Sequence, residues 1–197
     1  PEPTICVALD STTVKAMVDE AARASTAGAD IVEIRFDRLY LSKPEPVEVE
    51  QEDGETKSVM APESEWPIND VTSIDADASI QKLKESIGIP VIFTNRPPRE
   101  GGYFPGTEEE RMEILKLAIA SKVSWIDIET SIDETEFNAL SEDAKKAGCK
   151  IIHSSHDING TPNSEDIATF VREKSEGADM VKFCSTAHSH LDALQIV

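Results

Sequence analysis

Short apolar runs alternate with longer amphipathic stretches along most of the chain. The first stretch with helical spacing ends before Gly28, and Asp10 or Ser11 is its predicted N-cap. The apolar runs predict strands at residues 4–9, 30–37, 89–95, 124–129, 150–155 and 177–185. The amphipathic stretches predict helices up to residue 27 and at residues 76–87, 108–121, 133–147, 164–176 and 188–194. Thr107 is the predicted cap of the third of these helices, and Gly148 is predicted to end the fourth. The pattern therefore predicts six strand–helix units.

This alternation predicts a parallel sheet with right-handed crossovers. A doubly wound sheet and a (β/α)8 TIM barrel both have this pattern, but the polar residues favour the barrel. A barrel brings the carboxyl ends of all its strands to one cavity, whereas an open sheet spreads them along a crevice. Five predicted strands have charged or titratable residues near their carboxyl ends, namely Glu33 and Arg35, Arg96, Asp127 and Glu129, His156, and Lys182. We predict an α/β fold of the TIM-barrel class with about six units in this sequence.

Residues 43–75 interrupt the alternation. They are rich in Glu, Asp, Pro and Ser and show no apolar period. We predict a long loop or hairpin insertion with a mobile, acidic tip. The remainder is consistent with a single barrel domain over residues 1–197.

Lys182 is the one lysine in the apolar run GADMVKFCS. Burial of an ammonium group is costly and favours the neutral amine, which is a nucleophile. A neutral lysine attacks a ketone to form a carbinolamine and then an iminium ion, and the iminium acidifies the adjacent C–H bond. The lysine therefore indicates carbonyl chemistry through an imine.

Proton transfer in such a reaction requires a group that titrates near neutral pH, and His156 is the candidate. A carboxylate must fix the tautomer of this histidine, and Glu100 can reach it from the loop after the third strand. Arg35 and Arg96 provide positive charge for the lysine and for an anionic, hydroxyl-rich substrate. Non-catalytic alternatives exist, because Glu33 can form an ion pair with Arg35.

Two histidines have further structural alternatives. His156 lies beside Asp157 and can serve only as a loop cap, and His153 has the opposite strand parity, which predicts packing behind the sheet. His188 and His190 are predicted at the start of the last helix. Their H-x-H spacing alone is weak evidence for a metal, so we predict neither a metal site nor a cofactor.

Composition limits the classes of partner. The 197 residues include 19 basic and 38 acidic residues, which give a net charge of −19. This charge makes binding to nucleic acid or to anionic membranes unfavourable. The amino-terminal residues do not resemble a signal peptide, and no apolar run is long enough to span a membrane. The three cysteines, Cys6, Cys149 and Cys184, are predicted to pack in the core of a cytoplasmic protein.

Several segments together resemble a known family. ICVAL, ADIVEIRFD, PVIFTNRPPREGG, WIDIE, IIHSSHD with a following TP, and GADMVKF occur in this order. The set closely resembles type I 3-dehydroquinate dehydratases of the shikimate pathway, apart from the acidic insertion. The resemblance implies a (β/α)8 barrel, usually dimeric and without cofactor, that dehydrates 3-dehydroquinate to 3-dehydroshikimate through a lysine imine.

The resemblance also implies roles for individual residues. Lys182 forms the imine, His156 is the general acid and base, and Glu100 supports the histidine. The resemblance further implies that four polar residues bind substrate or tune the site, namely Glu33, Arg35, Arg96 and Asp127.

The sequence departs from the family at its carboxyl end. Family members continue with two further strands that provide an arginine for the substrate carboxylate and a closing loop with Ser and Gln. Six units leave strand edges unpaired in an eight-stranded barrel, so we expect the sequence to be a truncated form. Two alternatives stay open: another imine-forming barrel enzyme such as a class I aldolase, and an inactive fragment or interaction scaffold.

Overall fold

A computed structural model describes residues 3–51 and 54–196. It contains eight strands within these ranges: β1 (Cys6–Ala8), β2 (Ile31–Arg35), β3 (Val47–Glu50), β4 (Thr56–Val59), β5 (Val91–Thr94), β6 (Trp125–Glu129), β7 (Lys150–Asp157) and β8 (Met180–Ser185). The α-helices are α1 (Val14–Thr26), α2 (Ala76–Ser86), α3 (Glu108–Ala120), α4 (Glu134–Ala147), α5 (Ser164–Lys174) and α6 (His190–Leu194). All six predicted units are present, with boundaries shifted by a few residues.

Six strands form one parallel sheet in the order β1-β2-β5-β6-β7-β8. Each new strand joins the outer side of the preceding one, so the strand order never reverses as it does in a doubly wound sheet. This order is that of a barrel wall, and the described residues form an open, half-barrel sheet. Closure into an eight-unit barrel stays a prediction.

One face of this sheet is covered by helices. Val32, Ile34, Ile126 and Ile128 are at most 2% exposed and belong to the main hydrophobic core with α1 to α4. Neighbouring helices in the series α1 to α4 also contact one another. The side chains of alternate parity lie on the concave face, which carries the polar residues.

The helix ends follow local capping rules, with one correction. Thr107 caps α3 in a capping box with Glu110, as the sequence predicts for this helix start. The N-cap of α1 is Thr13 rather than Asp10 or Ser11. The backbone amides of Asp10 and Ser11 instead donate to the Glu20 carboxylate, 3.0 Å away, so these two residues belong to the preceding loop.

The acidic insertion is partly ordered. β3 and β4 form an antiparallel hairpin, as one of the two predicted alternatives requires, and the short 3-10 turns Glu63–Glu65 and Val71–Ser73 follow it. The predicted mobile tip includes residues 52 and 53, which lie outside the described residues. The hairpin strands are exposed throughout, so this part of the insertion adds little to the core.

Candidate active site

Lys182 lies on the concave face of the sheet near the end of β8. Its neighbour on β7 is Ser154, and its amine nitrogen lies 3.7 Å from Glu33 Oε1 and 3.9 Å from Asp127 Oδ2. The Lys182 side chain is 33% exposed, whereas Asp127 is fully buried. The structure thus brings together three of the predicted residues, from β2, β6 and β8, with the amine nearest to solvent.

Arg96 lies beneath this lysine and is almost completely buried. Its guanidinium donates to Glu129 Oε1 at 3.0 Å, to Ser154 Oγ at 2.9 Å and to Asp127 Oδ2 at 3.1 Å. Burial disfavours the charged form of Arg96. The negative charges of Asp127 and Glu129 outweigh this effect and raise the pKa of the guanidinium above its ordinary value. Arg96 is therefore a permanent cation whose donors point at protein groups.

Sequence reasoning missed Arg111, which reaches the same network from helix α3. Its guanidinium donates to Glu129 Oε2, and both side chains are buried. Burial raises the pKa of Glu129, whereas Arg111 and Arg96 act in the opposite direction, and ion pairs with both guanidinium groups favour its carboxylate form. A usable signal was present, because Arg111 shares the buried face of α3 with Leu115 and Ala118. A buried arginine requires a carboxylate partner.

His156 and Glu100 also meet, as predicted. His156 Nδ1 lies 3.3 Å from Glu100 Oε2, and Ser131 Oγ donates to Glu100 Oε1 at 2.5 Å. His156 on β7 pairs with Cys184 on β8. Cys184 lies two residues beyond Lys182 along β8, on the same face of the sheet. The reacting pair proposed from sequence therefore lies at one end of the sheet, on adjacent strands.

Hydrogen bonds shift the pKa values of this pair in opposite directions. Burial alone lowers the pKa of His156, but hydrogen bonds with the Cys184 thiol and with Glu100 outweigh it and raise the pKa. Burial alone raises the pKa of Glu100, but hydrogen bonds with His156 and Ser131 outweigh it and lower the pKa. The hydrogen bond to His156 also lowers the pKa of the Cys184 thiol. The geometry favours an imidazolium that faces a carboxylate.

These shifts predict a pH window for the stability contributed by the pair. The raised pKa of His156 gives stability that is fully present below the ordinary value of 6.5 and is lost as pH rises through the folded value. The lowered pKa of Glu100 gives stability that is present above 4.5 and is lost as pH falls through its folded value. Glu100→Gln is therefore expected to cost about 1 kcal/mol between these limits and less at alkaline pH. Urea unfolding at a series of pH values measures this difference.

The exposed Glu109→Gln provides the matched control, because it removes the same charge from the surface near the start of α3. A cost of Glu100→Gln that stays constant from pH 5.5 to about pH 9 would contradict the assignment, since it would not follow the protonation of His156.

Arg35 corrects one of the alternatives drawn from sequence. It pairs with Asp37 rather than with Glu33, through Nε to Oδ1 at 3.0 Å and Nη2 to Oδ2 at 2.8 Å. Asp37 also accepts hydrogen bonds from the backbone amides of Tyr103 and Arg96. The pair with Asp37 forms because β2 ends at Arg35 and the following 3-10 turn directs Asp37 back under the same mouth.

The insertion contacts the site loop through Glu63. This carboxylate accepts two hydrogen bonds of 2.7 Å from the buried Arg38, and Tyr103 donates its hydroxyl to the same group. Tyr103 lies in the loop that also carries Glu100. No sequence pattern predicts this contact, because the residues come together only where the insertion returns onto the site loop.

Gly102 allows the close turn of that loop. A Cβ atom at this position would overlap the carbonyl group and the Cβ of Arg96. We expect Gly102→Ala to destabilise the protein by about 1 to 3 kcal/mol and to displace the loop with Glu100. Thermal unfolding together with activity measures both effects.

Gly160→Ala is the control for this loop prediction, because no atom lies within 4 Å of its added Cβ. A Gly102→Ala variant with the unfolding temperature and activity of Gly160→Ala would contradict the steric argument.

Other predictions about single residues have mixed outcomes. His153 packs behind the sheet as predicted, stacked on the Phe137 ring at 4.1 Å with Nδ1 3.2 Å from the Lys174 carbonyl oxygen. Cys149 is buried, whereas Cys6 is exposed and Cys184 is half-buried, so only one cysteine packs in the core. Cys6 is exposed because it lies on the edge strand, at an open part of the concave face.

Within residues 3–51 and 54–196, no group of three or more His, Cys, Asp or Glu side chains has an arrangement that could hold a metal ion. None of the helices in the described part of the chain is long and apolar enough to cross a membrane.

Relatives are recognised over nearly the whole chain. The sequence model of the family described as Type I 3-dehydroquinase matches residues 5–197. The chain is 32% identical over 193 residues to the 3-dehydroquinate dehydratase of Methanothermobacter thermautotrophicus, covering 98% of this chain and 70% of the relative. It is 34% identical over 185 residues to the bifunctional 3-dehydroquinate dehydratase/shikimate dehydrogenase of Arabidopsis thaliana, covering 93% of this chain and 25% of that protein.

Solved structures support the fold assignment. The 3-dehydroquinate dehydratase from Enterococcus faecalis superposes with a TM-score of 0.76 at 24% identity, over 98% of this chain and 70% of that one. The type I enzyme from Clostridium difficile gives a TM-score of 0.74 at 24% identity, over 98% of this chain and 66% of that one. The half-barrel sheet is thus the wall found in these proteins, and with the sequence matches it shows that the chain belongs to the type I 3-dehydroquinase family.

Proposed function

We propose that the protein is a lyase that dehydrates 3-dehydroquinate to 3-dehydroshikimate through an imine on Lys182. The observation that carries this proposal is the position of a single amine at the mouth of a charge-balanced buried cluster, beside a histidine–carboxylate pair. Family membership supports the choice of substrate, and the cluster supports the imine.

The cluster matches the charge of the proposed intermediate. Three carboxylates face three nitrogen cations, the third of which is the ammonium group of Lys182. The groups are Glu33, Asp127 and Glu129, with Arg96, Arg111 and Lys182. When the lysine nitrogen is uncharged, the cluster retains one excess negative charge. An iminium ion restores the balance and is therefore stabilised within the buried site.

The reaction divides into imine formation, proton abstraction and loss of water. The neutral amine of Lys182 attacks the ketone, and expulsion of water leaves the iminium ion. His156 removes the proton alpha to the iminium carbon. The electron pair of the broken C–H bond then forms the enamine. The enamine then expels the hydroxyl group, which leaves as water with the proton returned by His156. Hydrolysis of the conjugated iminium releases product and regenerates the amine.

Glu100 supports this cycle from behind the histidine. Its carboxylate faces Nδ1, so the other ring nitrogen, Nε2, is left for the substrate. The imidazolium that forms after proton abstraction faces a negative charge, which lowers the free energy of that state. We propose substrate contacts for Arg35 and Glu33 at the mouth, and a tuning role for the deeply buried Arg96 and Asp127.

Borohydride trapping tests the proposed function. The complete protein that its gene encodes is incubated with 3-dehydroquinate and sodium borohydride, and the digest is analysed by mass spectrometry. A reduced adduct at Lys182 is expected. Consumption of 3-dehydroquinate with an unmodified Lys182 would exclude the imine mechanism, and no consumption with no adduct would overturn the proposed function. Eight-unit closure and a homodimer stay predictions of the family resemblance, and a cytoplasmic location stays a prediction from sequence composition.

A further inference from the structure

Glu108, in the first turn of α3, contacts two arginines that lead to different parts of the site. Its Oε1 accepts from Arg111 Nη2 at 2.6 Å and its Oε2 accepts from Arg99 Nη1 at 3.0 Å. Two further hydrogen bonds, from Arg111 Nε and Arg99 Nη2, are each 3.1 Å long. Each guanidinium thus forms a two-point contact with the same carboxylate.

The first series of contacts, the lysine arm, connects Glu108 to Lys182. Arg111 contacts the buried Glu129, which accepts from Arg96 at 3.0 Å. Arg96 in turn contacts Asp127 at 3.1 Å, and Asp127 lies 3.9 Å from the amine of Lys182. Charges alternate along this whole series, and every member between Glu108 and the lysine is buried. A shift of Arg111 therefore changes the field at the reacting amine.

The second series of contacts, the histidine arm, connects Glu108 to His156 through Arg99. Arg99 Nε donates to Ser131 Oγ at 3.1 Å, and Ser131 donates to Glu100 at 2.5 Å. Glu100 then faces His156 Nδ1 at 3.3 Å. Ser131 is held between Arg99 and Glu100, so the position of Arg99 sets the direction of the Glu100 carboxylate.

We propose that Glu108 is a positioning residue that holds both arms of the active site, one to Lys182 and one to His156, without touching the substrate. This inference rests on the proposed function. Hydrogen bonds from both arginines outweigh the effect of burial and lower the pKa of Glu108 to about 2, so it stays ionised across the working range. The two arms otherwise arise from different elements, since Arg99 lies in the short 3-10 helix Pro98–Glu100 and Arg111 in α3.

Glu108→Gln tests the proposal because it keeps the shape and removes the charge. The charged and titratable groups that face His156 are Glu100, the Cys184 thiol and Arg96. When Glu108 no longer binds Arg99, the Glu100 carboxylate loses its fixed direction. The positive charge of Arg99 near His156 is then no longer neutralised. Both changes disfavour the imidazolium. We expect the NMR titration midpoint of His156 to fall by about half a unit and kcat to fall about 10-fold with little change in KM.

Glu109→Gln is the matched control, since it removes the same charge from the same helix turn at an exposed position. A second variant, Arg99→Met, interrupts only the histidine arm. It also removes the positive charge of Arg99, so it should lower the His156 midpoint by less than Glu108→Gln, and the double variant should show less than the sum of the two shifts.

The outcomes separate the two proposals. A His156 midpoint and kcat in Glu108→Gln equal to those of Glu109→Gln would overturn the positioning role, as would strictly additive shifts in the double variant. The NMR titration requires no turnover, so it tests the histidine arm even if borohydride fails to trap an adduct at Lys182. That failure would overturn the proposed function, whereas normal trapping with an unmoved midpoint would overturn only the role of Glu108.

Discussion

Lys182→Ala is expected to abolish turnover and the borohydride adduct together. The alanine has no amine, so no covalent intermediate forms, and the remaining proton-transfer groups have no electron sink to act on. Loss of at least about 10⁴-fold in kcat is expected on this basis. Steady-state dehydration of 3-dehydroquinate and intact-mass analysis after reduction measure the two effects.

The fold should survive this substitution. Arg96 stays within 3.1 Å of Asp127 and 4.0 Å of Glu33, so neither carboxylate is left without a neighbouring cation. Lys146→Ala is the control, because that side chain is 70% exposed on the outside of α4. Circular dichroism should be unchanged in both variants. Substantial residual turnover in Lys182→Ala would contradict the imine mechanism, and unfolding would show that the lysine is also required structurally.

His156→Ala is expected to separate imine formation from proton transfer. The variant retains Lys182, so the iminium ion should still form and be trapped by borohydride. Removal of the proton alpha to the iminium and protonation of the leaving hydroxyl should both slow, which predicts a decrease of about 10²- to 10⁴-fold in kcat. Single-turnover kinetics with trapping at timed intervals distinguish accumulation of adduct from formation of product.

A control histidine is available in the carboxyl-terminal part of the chain, where His156 also lies. His190 begins α6 and is exposed, so His190→Ala should behave as the unsubstituted protein. If His156→Ala formed product at the unsubstituted rate, the acid–base assignment would be wrong. If it failed to form the adduct at all, His156 would be required before the proton-transfer steps, during imine formation.

The sequence already determined the local structure and predicted which groups react. Apolar periodicity located all six parallel strands, and Thr107 and Gly148 marked helix ends that the structure confirms. Strand parity correctly separated His153, behind the sheet, from the polar residues on the concave face. These features depend on neighbours along the chain, and a period of two or 3.6 residues records them directly.

Only the tertiary structure decided which charges pair. Arg35 meets Asp37, Arg111 reaches Glu129 from a helix, and Glu63 returns from the insertion to Tyr103. The last two pairings join segments far apart in sequence, and for Arg35 the choice of Asp37 over the equally near Glu33 depends on distances of a few ångströms and on burial. The sequence therefore predicts Lys182 and His156 as the reacting pair, a prediction that the trapping and kinetic experiments test. The network that fixes their charge and direction, including Glu108, exists only where the strands and α3 meet.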